Sequence, residues 1–147
     1  MAIELFTIGF TKKSAKQFFE TLRRAGVKKL VDVRLNNTSQ LSAFAKKDDL
    51  AYFAEALCGI SYDHVPILAP NQELLDSLKK RKGSWAEYEN GFLALMRERG
   101  AIEKLERSLF EEPCCLLCSE ATPEHCHRRL VAEAIRKRWP DVEVVHL

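Results

Sequence analysis

Residues 116–130, LLCSEATPEHCHRRL, set two cysteines, two histidines, two glutamates and two arginines behind a short apolar run. Such residues can build a metal site, a thiol nucleophile with its base, or an anion cradle, or can simply lead a strand into a helix. As a reactive centre, Cys118 or Cys126 supplies the nucleophile and Glu120 or His127 the general acid or base, so these four are the candidate catalytic residues. Arg128 adds a two-pronged donor for a phosphate or carboxylate. As metal ligands, Cys115, Cys118, Cys126 and His127 follow the spacing C-x2-C-x7-C-H. Cys115 and Cys118 are three apart in a stretch that reads as a strand, however, so they point to opposite faces. No metal and no other cofactor is therefore expected. Cys118 precedes Arg128 by ten residues that include a proline, two glutamates and no glycine, which does not fit a short phosphate-binding loop.

The elements that must position these residues alternate. IELFTI (3–8) reads as a buried strand. Ser14 and Gln17 form a capping box for a helix that buries Phe18, Phe19 and Leu22 and stops at Gly26. KKLVDVR (28–34) is a second strand, so the three elements make a βαβ unit with parallel strands. A loop over 35–47 leads to a helix capped by Asp48 or Asp49, carrying Leu50, Phe53 and Leu57, and stopped at Gly59. ISYDHVP (60–66) alternates as a strand, with Ile60, Tyr62 and His64 on one face. Asn71 caps a helix through Leu74 and Leu75; Ser84 and Glu87 cap another, whose Trp85, Tyr88, Phe92 and Met96 stripe reads as core. A further amphipathic helix is expected over 101–110, through Ile102, Leu105 and Leu109. CCLLC (114–118) is a buried strand, Thr122–Arg138 a helix with Thr122 as N-cap and Pro123 at its first position, and VEVVHL a last strand. On that helix Leu130, Val131, Ala134 and Ile135 form the buried face, His127 lies near its middle, and Cys126 and Arg128 flank it.

Strands alternating with helices predict a three-layer α/β/α domain with a mainly parallel sheet, one domain over 1–147. Ligands in such sheets bind outside the carboxyl ends of the strands. Thr7, Gly9 and Thr11 end the first strand and Asp32 and Arg34 the second, while His64 ends the third. These, with Arg128, are the candidate substrate-binding residues. Asp32 and Arg34 also admit a plainer reading, a local ion pair that pins the next loop.

Composition narrows the partner. Twenty-three basic and 21 acidic side chains leave a formal charge of +2, too balanced for a dedicated nucleic-acid binder. The expected partner is a small anionic ligand or nucleotide; nucleic acid, touched by the KKRK run at 79–82, is the alternative. No stretch approaches the roughly 18 apolar residues of a membrane span. Five cysteines and no secretion signal read as reduced thiols in a cytoplasmic protein.

The chain resembles the bacterial and archaeal family of domain of unknown function 488. TIGFT is similar to its T-I-G-H-S, LVDVR with Ser39 to its D-V-R-x-x-P-x-S-R, and GISYDHVPILAP to its G-I-x-Y-x-H-x-P-x-L-G. LLCSEATPEHCHRRLVAE resembles its L-L-C-x-E-x-x-P-x-x-C-H-R-x-x-V-A, and VVHL its V-x-H-L ending. The resemblance implies an α/β domain with a site around Cys118, Glu120, Cys126, His127 and Arg128, adds Ser39 to the binding candidates, and implies no particular activity. This chain departs from the pattern at Phe10, where histidine is common, at Asn37 and Gln40, which replace proline and arginine, and at Ala69 and Pro70, which replace glycines. Loss of the basic residue at Gln40 weakens the case for an anion.

Overall fold

A computed structural model describes residues 3–35, 43–79, 84–119 and 126–147. Five strands, β1 (Ile3–Gly9), β2 (Lys29–Asp32), β3 (Ser61–His64), β4 (Cys114–Cys118) and β5 (Val142–His146), form one sheet in the order β3-β2-β4-β1-β5. Every pairing in it is parallel. The helices are α1 (Ala15–Ala25), α2 (Lys47–Cys58), α3 (Gln72–Lys79), α4 (Trp85–Arg99) and α5 (His127–Arg138).

The period-two alternation of the strands builds two cores, one on each face. Phe6, Ile8, Leu30, Cys115 and Leu117 face α1 and α2, where they meet Phe18, Phe19, Leu22, Leu50 and Ala54. Ile3, Leu5, Val31, Leu116 and Cys118 face α4 and α5, against Phe92, Met96, Leu130, Val131 and Ile135. This is the expected three-layer arrangement. Among the described residues no helix is long and apolar enough to cross a membrane.

Helix ends follow local chemistry. The Ser14–Gln17 box forms reciprocally, and Gly26 closes α1 at φ 78°, a left-handed conformation that glycine adopts without a Cβ penalty. Asn71 Oδ1 accepts the Leu74 N–H at 2.8 Å. Ser84 accepts the Glu87 N–H at 3.1 Å.

Several expectations are corrected. α2 starts after Lys46, so Asp48 and Asp49 lie inside its first turn, where their charge suits the helix dipole, and do not cap it. Leu57 is 57% exposed, because α2 turns Leu50 and Ala54 to the sheet instead. The 101–110 helix does not form. Gly100 turns left-handed, the Ala101 N–H returns to Met96 O, and Glu106 is extended, which leaves a single 3-10 turn at Arg107–Phe110. The apolar spacing there still buries Leu105 and Phe110, through turns. Finally, α5 begins at His127 and not at Thr122: Cys126 is extended, with φ −136° and ψ 136°. Ala134 is half-buried, and Ala132 joins the buried face.

Candidate functional site

The carboxyl edge of the sheet is set by register. Gly9 pairs with Cys118, and Asp32 pairs with both Leu117 and His64, so the ends of β1, β2, β3 and β4 are level. The candidate residues do gather there, yet strand parity divides them between the two faces.

On the α5 face, Cys118 ends β4 and His127 opens α5. Cys118 Sγ lies 3.4 Å from His127 Nδ1. His127 Nε2 is 2.7 Å from the Val33 carbonyl oxygen. A carbonyl only accepts, so Nε2 carries the proton; Cys118 Sγ lies 3.9 Å from Nε2 as well, so the thiol sits beside the ring and off the axis of the Nδ1 lone pair. Cys126 completes the group: the ligand atoms of Cys118, Cys126 and His127 lie within 4.8 Å of one another. The hydrogen bond with Cys118, together with burial, raises Cys126 well above the ordinary thiol range, so it stays protonated and donates toward the Cys118 sulfur. Cys126 also interacts with His127, so the three side chains form a triangle that is anchored at the Val33 carbonyl. Phe92 packs its ring 5.3 Å from the imidazole and holds its plane.

Arg128 departs furthest from its expected place. Instead of flanking the buried face, it is fully buried. Because α5 starts one residue before it, Arg128 sits in the first turn, beside the sheet, and its Nε donates to Thr7 Oγ1 at 3.2 Å. The same hydroxyl hydrogen-bonds with His146 Nδ1, 2.5 Å away. Thr7 is thus a positioning residue between an arginine and the last strand. His146 escaped sequence reasoning; the one signal for it was the terminal VVHL. Lys13 sits near enough that burial, and then the Arg128 charge, lower its pKa. Two cations therefore approach each other at the first turn of a helix whose N-cap, Cys126, supplies no side-chain cap.

On the opposite face, Asp32 is fully buried and accepts from Arg34 Nε and Nη2, both at 2.8 Å, from the Arg34 N–H at 3.1 Å, and from the Tyr62 hydroxyl. Burial pushes the Asp32 carboxyl up, but the Arg34 hydrogen bonds and charge and the Tyr62 bond outweigh it and hold the carboxyl below its ordinary value. The guanidinium of Arg34 lies 5.4 Å from the Phe10 ring centroid, so Phe10 packs over the arginine of this pair. His64 Nε2 bonds the Arg34 carbonyl at 2.8 Å.

The backbone of Val33 and Arg34 joins the two clusters, anchoring His127 on one side and His64 on the other. Thr11 lies at the rim, its N–H donating to Ser119 O at 3.0 Å. It also borders an open groove of about 630 Å³ lined by Lys12, Lys13, Lys16 and Arg24. Gly9 is a buried strand residue beside Cys118. Ser39, Gln40, Asn37, Glu120 and Thr122 lie outside the described residues, as does the basic run beyond Lys79. The four-residue metal set fails at Cys115, which lies in the core of the other face, while its remaining three members converge.

Residues 14–135 match the family described as Domain of unknown function DUF488. The chain belongs to that family. No curated protein and no solved structure gives a significant match. Of this DUF488 chain's departures, Ala69 takes φ −88° and ψ 154°, a conformation open to any residue, so glycine is not needed there.

Proposed function

We propose that this DUF488 protein is an enzyme acting on an anionic substrate, a phosphorylated small molecule or nucleotide, at the carboxyl edge of the sheet. The convergence of Cys118, Cys126 and His127, with His127 anchored on the Val33 carbonyl, carries this reading. A core histidine needs only a satisfied ring. This one has a fixed tautomer and a buried thiol 3.4 Å from its free nitrogen, within reach of proton transfer after a rotation of the thiol. Cys118 gives its proton to Nδ1, and the thiolate attacks the electrophilic centre of the substrate. A bond to sulfur forms as the bond to the leaving group breaks, and the Nδ1 proton leaves with that group. Arg128 and Lys13 supply the positive field that draws the anion. Glu120 is the second candidate for proton transfer. Asp32 and Arg34 act from the far face by fixing the Val33 carbonyl. The reading expects a reducing compartment, the cytoplasm, which keeps the five free cysteines as thiols.

Charge-selective alkylation tests this. A negatively charged reagent is ordinarily the slower one toward a thiolate, because like charges repel. At Cys118, iodoacetate should react at least as fast as iodoacetamide, and Arg128→Met should reverse the preference. A Cys118 that prefers the neutral reagent refutes the anion reading.

A second reading makes the Cys/His/Arg element structural and the protein a nucleic-acid-binding module. The complete burial of Arg128 favours it, as does the basic groove along α1. Neither reagent would then reach Cys118 in the folded chain, and binding to nucleic acid would strengthen as salt falls.

A further inference from the structure

We infer that Cys118, Cys126 and His127 form a three-ligand site for a soft divalent cation of the zinc class. The inference rests on the reading of this cluster as the reactive centre and adds a metal-loaded form to it, in which Cys118 is a ligand and not the attacking group.

The donor set comes first. Two thiolates and an imidazole select zinc-like ions over magnesium or calcium, which prefer oxygen. With Zn–S near 2.3 Å and Zn–N near 2.0 Å, a tetrahedral centre sets sulfur and nitrogen about 3.6 Å apart and two sulfurs about 3.8 Å apart. Cys118 Sγ and His127 Nδ1 are already 3.4 Å apart, and all three donor atoms fall within 4.8 Å of one another. Cys118 Sγ is also 3.9 Å from Nε2, so loading asks the thiols and the imidazole to rotate until both sulfurs and Nδ1 aim at one point.

The outer partners come second. A histidine that ligates through one nitrogen ordinarily donates its other N–H to a carbonyl or carboxylate. His127 does this at 2.7 Å to Val33 O, which leaves Nδ1, the nitrogen nearer Cys118, as the ligating atom. The ring is also packed against Phe92. The three ligands stand on firm supports: Cys118 at the end of the central strand β4, Cys126 at the N-cap, and His127 at the first position of α5. The change from extended backbone at Cys126 to helix at His127 lets two neighbours in sequence converge on one point.

Charge comes third. Two thiolates and a dication sum to zero, so loading leaves a buried cluster without net charge. Three protein ligands are the number found where zinc keeps a position for water or substrate. An anion held by Arg128 would complete that fourth position.

The test uses the full chain, reduced and stripped with a chelator, and titrated with Co²⁺. One equivalent should develop sulfur-to-cobalt charge-transfer absorption with the intense visible bands of a tetrahedral centre, and Zn²⁺ should displace it. Binding should release protons and weaken as pH falls. Cys118→Ser and Cys126→Ser should each remove the absorption, while Cys58→Ser, in a half-buried cysteine on α2, should keep it. Zn²⁺ should also protect Cys118 from iodoacetate, and chelator should restore the reaction. A folded wild-type chain that shows no charge-transfer absorption overturns the inference, whatever the variants do. The iodoacetate preference, measured on the stripped protein, is a separate reading: it survives if only the metal inference fails, and fails alone if the metal binds but the thiol shows no charge selectivity.

Discussion

Asp32→Asn tests whether the buried pair beneath Val33 holds the site in place. Asp32 is fully buried and Arg34 nearly so, at 2% exposure, and four hydrogen bonds end on the carboxylate. An asparagine keeps one acceptor and turns an NH₂ toward the Arg34 donors, so the buried guanidinium loses its countercharge. Breaking a buried pair from one side costs about 3–5 kcal/mol. In a chain of this size 1 kcal/mol moves the melting temperature by about 2–4 °C, so Asp32→Asn should lower it by about 6–20 °C. The double variant Asp32→Asn, Arg34→Met removes both charges and should recover part of the loss, since no unpaired charge is then left buried. Urea unfolding at pH 7 of the two single variants and the double gives the coupling energy directly. The acid limb is a further check. The folded Asp32 carboxyl lies below its unfolded value, so its stabilisation is complete above the ordinary carboxylate range. It is lost as pH falls through the depressed folded value. Wild type should therefore be steeper than Asp32→Asn in that acid window, and the two curves should converge below it. A single variant within about 1 kcal/mol of wild type, or a double variant as unstable as the two singles summed, refutes the reasoning.

Three other outcomes follow from the same geometry. Thr7→Val removes the acceptor for Arg128 Nε and the hydrogen-bond partner of His146, and should cost about 1–3 kcal/mol in urea unfolding, with a loss of iodoacetate preference at Cys118. Gly91→Ala would bring a Cβ to 2.6 Å from Leu74 Cδ2, the movable end of a side chain on α3. In the Leu74→Ala background, where that clash is gone, the same change should stabilise by about 1 kcal/mol through helix propensity, measured by thermal melting. Cys114 is fully buried and its thiol is pushed up to about 12, and burial likewise raises the fully buried Cys115 well above the ordinary thiol range. Alkylation of both at pH 8, followed by mass spectrometry, should track global unfolding and not local opening.

Much of this architecture is legible in the residue pattern because it is written locally. The Ser14–Gln17 box, the Gly26 stop and the uninterrupted CCLLC run each carry their own physical signal. So does the opposition of Cys115 and Cys118, which follows from strand parity alone. What stays hidden depends on neighbours distant in sequence. Which face each strand end serves depends on β4 entering between β1 and β2, so Asp32 and His127 read as members of one cleft although the sheet separates them. The break before His127 is hidden because Cys126, extended in the structure, carries no turn or breaker signal in the sequence. The turn 101–105 has helical spacing, but Arg138 Nη1 binds the Ile102 carbonyl and, at 2.9 Å, the Leu105 carbonyl, an arrangement no local window contains. His146 joins the site only because the last strand lies beside the first.

The strand order has a consequence for how the chain is born. β1 takes both of its neighbours, β4 and β5, from beyond residue 113, and β2 waits for β4 as well. During synthesis at about 5–20 residues per second, the first strand remains without a pairing partner for several seconds. Through that interval Phe6, Ile8 and Leu30 have only α1 and α2 to cover them. The nascent half is thus open-edged, and the strand that delivers Cys118 is the one that joins β1 to β2, before β5 adds at the edge. The thiol therefore reaches its place beside His127 through the same strand insertion that unites the two halves of the sheet.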